Sequence, residues 1–210
     1  MAALIEAAKE GDLQQVEYLL TIGIDVNVRD DNNNTPLHVA AENGHHSVVK
    51  MLLATGADVN IINNKIVTPL HSAALQGYHS IVDTLLIGDA SVNVINMLNN
   101  TPLHDAAREG HYLSVEKLLA VGADINAINH FREIPLYNAA WKGHTSVVKM
   151  LLAAGANVNI ANDRHITALQ IAIDNTHSTV VKLLLIAGAH TNNITLMDDN
   201  DFKTLNIIRY

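Results

Sequence analysis

The sequence predicts an all-α chain, an α-solenoid of stacked helix-turn-helix units joined by extended polar loops. Three observations carry that expectation. The tetrapeptide Thr-Pro-Leu-His recurs at Thr35–His38, Thr68–His71 and Thr101–His104, each time 33 residues further on. Two altered copies keep the beat, Ile134-Pro135-Leu136-Tyr137 and Thr167-Ala168-Leu169-Gln170. Glycines at 11, 44, 77, 110 and 143, and Val/Ile-Asn pairs at 26-27, 59-60, 92-93, 125-126 and 158-159, recur in phase with them. A fixed period of this length marks one small unit stacked on its own copies.

Residues 35–67 show how one unit is built. Thr35 is an N-cap whose hydroxyl can accept a bond from a first-turn N–H. Pro36 follows at the first helical position, where its missing N–H costs nothing. Leu37, Ala40 and Ala41 give a short helix with a small-residue face, and Gly44 ends it in the left-handed conformation. Val48, Val49, Met51, Leu52 and Leu53 place an apolar face at helical spacing on a second helix, ended by Gly56. The stretch from Ala57 onward is an extended polar loop leading to the next cap. Each helix spans two to three turns, too few to stand alone in water. Each pair therefore shelters its apolar face against the neighbouring pairs.

Six helix pairs follow, starting near Ala2, Thr35, Thr68, Thr101, Ile134 and Thr167. We expect residues 1–34 to be an N-terminal capping repeat and 35–166 to hold four full repeats. Residues 167–190 form a degenerate sixth, and 191–210 a C-terminal cap or a truncated seventh. Local departures are informative. Asp89 stands at the second-helix glycine position although Gly88 is adjacent, and Asp tolerates a left-handed backbone better than most residues. Thr176 replaces the first-helix glycine, where a β-branched residue should be strained.

Composition bounds the function. The chain has 210 residues and is 49% hydrophobic, enough for a sizeable core, with a formal net charge of −8 and no Lys/Arg run. That argues against nucleic acid as a partner, which needs clustered cations. The absence of cysteine removes disulfides and thiolate metal sites. No apolar run is long enough to insert in a membrane. The start of the chain lacks the pattern of a secretory signal. An intracellular, cytoplasmic monomer is the expectation, with a secreted effector acting in a host cytosol as the other reading.

Thr-Pro-Leu-His-x-Ala-Ala-x-x-Gly-His, then Val-Val-Lys-x-Leu-Leu, then Gly-Ala-Asp-Val-Asn resembles the ankyrin repeat over residues 2–190. The resemblance implies paired antiparallel helices, with the loops between repeats projecting sideways as β-hairpin or β-turn fingers. It also implies protein–protein recognition on the concave face of fingers and first helices. Asn60, with Leu52 and Asp58 upstream, is similar to asparagines hydroxylated in animal members of that family. All five finger tips carry another residue where the family has Gly: Asn33, Ile66, Asn99, Arg132 and His165.

Twelve histidines invite a metal or catalytic reading. His38, His71 and His104 share one repeat position, and His45, His111, His144 and His177 share another. Equivalent residues in stacked helices lie roughly 10 Å apart, whereas zinc ligands converge within about 2.0–2.3 Å of one point. A structural role is therefore expected, with no metal, no cofactor and no catalytic residues. No Cys nucleophile, nucleophile elbow or phosphate loop is present, so an enzyme is not expected.

The informative positions are the finger tips and the outer edges of the first helices, which have no core duty. The middle repeats place Val67, Leu75, Met97, Leu98, Phe131 and Trp141 there, where polar residues would suit water. Aromatic anchors ringed by polar groups describe a binding hot spot. The candidate protein-binding set is Lys65, Val67, Leu75, Met97, Leu98, Arg108, Phe131, Glu133, Trp141 and Lys142. A quieter reading lays Trp141 over Tyr137. The partner would be a protein; a targeting, regulatory or effector domain of a longer protein is the alternative role.

Overall fold

The computed structural model describes residues 2–191. The expectation of a cap or truncated seventh repeat at the C-terminus falls, beyond Thr191, outside the described residues. Among the described residues twelve helices pair as α1 (Ala2–Glu10) with α2 (Leu13–Thr21), α3 (Pro36–Glu42) with α4 (His46–Ala54), and α5 (Pro69–Gln76) with α6 (His79–Ile87). The remaining pairs are α7 (Pro102–Glu109) with α8 (Tyr112–Ala120), α9 (Pro135–Lys142) with α10 (Thr145–Ala153), and α11 (Ala168–Asp174) with α12 (Ser178–Ile186). Each first helix packs on its own second helix, and successive first helices from α1 to α11 pack on one another. The expected all-α solenoid is what forms.

The core runs between the two helix layers. Leu37, Leu70, Leu103, Leu136 and Leu169 hold one equivalent position and are all fully or almost fully buried. The alanine pairs beside them, from Ala40-Ala41 to Ala139-Ala140, are buried too. Burying each leucine contributes roughly 1.5–3 kcal/mol, and the alanines let first helices approach closely.

The motif histidine joins one repeat to the next. Thr35 N–H donates to His38 Nδ1 at 3.2 Å, and the Thr35 hydroxyl lies 2.9 Å from the same nitrogen. His38 Nε2 lies 2.9 Å from the Val67 carbonyl. A carbonyl only accepts, so Nε2 carries the proton and Nδ1 accepts. His71 and His104 repeat the arrangement toward the carbonyls of Asn100 and Glu133, at 3.0 and 3.1 Å. Burial pushes His71 and His104 down to about 4, and lowers His38 as well. The second histidine row works in the opposite direction along the chain. His45, His111, His144 and His177 donate from Nε2 to the carbonyls of Lys9, Leu75, Arg108 and Trp141 at 2.8–3.0 Å.

Asparagine forms a third inter-repeat link. The Oδ1 atoms of Asn27, Asn60, Asn93, Asn126 and Asn159 accept the backbone N–H of Asp58, Ser91, Asp124, Asn157 and His190 at 2.7–2.9 Å. The Asn60 amide also donates to the Asp89 carbonyl.

The fingers are tight turns; one β-bridge, Ala161 with Thr167, is present among the described residues. One side chain at the base of each finger holds its backbone. Asn63 Oδ1 accepts from Lys65 N and Val67 N, Asn96 Oδ1 from Leu98 N and Asn100 N, and Asn129 Oδ1 from Phe131 N and Glu133 N. Adjacent fingers are tied by Met97 N to the Lys65 carbonyl and His130 N to the Leu98 carbonyl. These bonds fix the tips without glycine, at the cost of a positive φ at Asn33, Ile66, Asn99, Arg132 and His165.

Asp89 takes the left-handed position with φ 64, while Gly88 is ordinary at −82. Thr176 sits at φ 58. Ile66, β-branched at φ 56 and exposed, is the clearest strain in the fingers. A left-handed L-residue costs about 1–2 kcal/mol, against roughly 0.5–1 kcal/mol of extra chain entropy for glycine. Ile66→Gly should raise stability by up to about 1 kcal/mol. Urea unfolding checks this, and a destabilised variant would mean the Ile66 side chain packs usefully.

Candidate functional site

The bases of the fingers and the first helices α5, α7, α9 and α11 enclose two adjoining grooves. The first, of about 440 Å³, is walled by Leu98, Phe131, Trp141, Ile166 and Ile171. Its polar lining includes Asn100, Asn129, Tyr137, Asn138 and Asn162, with Arg108, Glu133, Asp163 and Arg164 also bordering it. The second, also about 440 Å³, is more polar and holds Lys65, Val67, Ser72, Leu75 and Asp105 among its lining residues. Leu98, Asn100 and Arg108 belong to both.

The ten residues singled out in the sequence therefore divide. Leu98, Arg108, Phe131, Glu133 and Trp141 meet around the first groove. Lys65, Val67 and Leu75 line the second with Leu98 and Arg108. Met97 and Lys142 line neither. Met97 stands on its finger at 63% exposure. Lys142 places Nζ 4.6 Å from the centre of the Trp141 ring, a cation–π contact that leaves the ring without ring stacking. His130 and Phe131 form the one ring–ring pair among the described residues, edge-on at 5.5 Å. Trp141 thus does not lie over Tyr137. Phe131 is 49% and Trp141 40% exposed, though the Trp141 backbone is anchored through the His177 bond.

Sequence reasoning missed the groove floor. The residue after the motif histidine, at 39, 72, 105, 138 and 171, faces the concave side. Asp105 and Asn138 fill it in the middle repeats and are 6% and 4% exposed. Burial pushes the Asp105 carboxyl up to about 7; nearby Arg108 opposes the shift and Glu109 adds to it. Arg108 is turned toward Glu109, with Nε 2.8 Å from Oε1. The signal was present in the sequence as Asp and Asn standing where the second and sixth repeats carry Val39 and Ile171.

A third groove lies on the opposite layer, between α8 and α10, with Tyr112, Leu119 and Met150 among its lining residues. It is more open and lacks buried polar groups. No cluster of three or more His, Cys, Asp or Glu side chains converges on one point among the described residues. No helix among them is long and apolar enough to cross a membrane.

The concave grooves offer shape, apolar wall and hydrogen-bonding floor. The sequence matches the family model for ankyrin repeats (3 copies), over residues 4–96, 68–129 and 103–195. Repeats of this kind are generally protein–protein interaction modules and are typically non-catalytic. No curated protein matches the chain. With that match spanning most of the length and six helix pairs stacked in register, the chain belongs to the ankyrin repeat family.

Proposed function

We propose that the chain is a non-catalytic module that binds a protein partner on its concave face, centred on repeats three to five. The observation that carries this reading is the exposed cluster of Trp141, Phe131 and Leu98 around a groove floored by buried polar groups. An apolar patch of that kind, rimmed by Arg108, Glu133 and Lys142, has the make-up of an interface centre. Lys65, Val67, Leu75 and Met97 extend it toward the N-terminal repeats. The net charge of −8 favours a protein over nucleic acid. The module works as an intracellular monomer, with a targeting, regulatory or effector role within a longer protein as the second form of the same binding function.

A photoreactive residue at position 98 would capture the partner, which is then purified for calorimetry. Trp141→Ala should weaken binding by about 2 kcal/mol or more, roughly thirtyfold in affinity. Unchanged affinity in that variant refutes the assignment of Trp141 as an anchor. Capture from position 112 on the outer layer, with none from 98, would move the surface to the other side of the stack.

A further inference from the structure

We propose that the second concave groove takes a lysine or arginine side chain of the partner over Asp105, next to a large apolar side chain seated in the Trp141 groove. This deepens the docking reading above and rests on it. The first observation is isolation. Asp105 is 94% buried by its 6% exposure and lines the groove, yet its carboxylate has no hydrogen-bond or ion-pair partner among the described residues. The nearest helix cation, Arg108, is bonded to Glu109 instead. The Asp105 oxygens stay open to the groove, since Ser114 Oγ is the one fully buried side-chain polar atom without a partner among the described residues, so an arriving ammonium or guanidinium can reach this poorly hydrated carboxylate and pair with it.

The second observation is the surrounding charge. Glu42, Lys65, His71 and Arg108 border the same groove. His71 has its ring nitrogens committed to Thr68 and the Asn100 carbonyl and is held neutral. Arg108 is balanced by Glu109. Asp105 in its ionised form and Glu42 then outweigh Lys65, and an arriving cation itself favours that form, so the groove favours a cation. The third observation is geometry. The two grooves lie one repeat apart and share Leu98, Asn100 and Arg108. A repeat spacing of roughly 10 Å matches about three residues of extended chain at about 3.3 Å each. The recognised segment therefore carries its basic and its bulky apolar residue about three positions apart.

The test is selection of a random dodecapeptide library on the intact 210-residue chain, in parallel with Asp105→Asn and Trp141→Ala. Asn keeps the side-chain shape and is the native residue at the equivalent position 138, so this variant should fold. Expected is enrichment of peptides pairing Lys or Arg with an aromatic or large aliphatic residue two to four positions away. Those peptides should bind Asp105→Asn at least tenfold more weakly. Replacing the peptide's basic residue by norleucine should weaken binding to the wild type, but not further to Asp105→Asn. Pools without basic enrichment, or peptides binding both chains equally, overturn the inference. If such peptides still need Trp141, the docking face stands and this inference alone falls. If no peptide depends on Trp141 or Asp105, the face falls with it.

Discussion

Gly110→Ala should destabilise the chain by about 3–5 kcal/mol, whereas Gly122→Ala should cost only about 1–2 kcal/mol. Both glycines have a positive φ, 79 and 88. Both substitutions therefore carry the penalty of a left-handed alanine, about 1–2 kcal/mol. They differ in what the new methyl meets. At Gly122 nothing lies within 4 Å. At Gly110 the Cβ would sit 2.5 Å from His144 Nδ1 and 2.7 Å from two ring carbons. That ring must move, and its Nε2 bond to the Arg108 carbonyl at 2.9 Å goes with it. Overpacking of about 1–3 kcal/mol and a lost hydrogen bond of about 1 kcal/mol supply the difference. The damage falls between the fourth and fifth repeats, so stacking across that plane weakens, and the unfolding transition should broaden as neighbours uncouple. Urea titrations of the two variants compare them directly. Equal costs would show that the imidazole adjusts freely and that this histidine row contributes little to stacking.

The same contact explains where the pattern departs. Gly11, Gly44, Gly77 and Gly143 each face the ring of the next repeat, His45, Tyr78, His111 and His177. Thr176 is the last member of that row among the described residues, and no such ring of a described residue follows it. The sequence showed the row of glycines and the odd threonine, but the steric reason needs the neighbour in place. Features internal to one repeat were legible because they act over three or four residues: the Thr cap, the Pro start, the glycine stop. Asp89, in place of the usual glycine, was legible for the same reason. The linking bonds were not, because their partners lie in the next unit. They are nonetheless periodic. Each asparagine of the ladder accepts from the residue 31 positions on, five times over. Each histidine of the second row reaches back 36 positions, four times. The candidate surface was legible as a set of apolar residues with no core duty. How it divides into two grooves, and that Asp105 and Asn138 floor them, follows only from how the first helices turn their inner faces. Lys142 was read as a rim charge; its place against Trp141 depends on a rotamer that sequence does not encode.

Asp105→Asn should make the chain more stable at pH 7.5 than at pH 5 relative to wild type, by about 2–3 kcal/mol between the two conditions. The carboxyl is pushed up to about 7 by burial, from about 3.9 in an unfolded chain. A raised folded value means the stabilising state is present below the unfolded value and is lost as pH rises through the folded one. In wild type the buried charge therefore costs about 4 kcal/mol at pH 7.5 but only about 1.5 kcal/mol at pH 5. Asparagine does not titrate, so its own burial cost cancels from the comparison. His71 and His104 have the opposite sign. Burial holds them at about 4, below about 6.5 when unfolded. Their contribution is present above the unfolded value and is lost as pH falls toward 4, about 2 kcal/mol each by pH 5. In wild type the gain at Asp105 offsets much of this loss, so stability changes only modestly over the window. In Asp105→Asn the histidine loss is no longer offset, and stability should fall by about 4 kcal/mol or more between pH 7.5 and 5, with His38, also lowered by burial, adding in the same direction. Urea unfolding at the two pH values measures both chains. A variant whose advantage does not change with pH would show that the Asp105 carboxyl is already well solvated or paired, and would remove the isolation on which its cation-binding role depends.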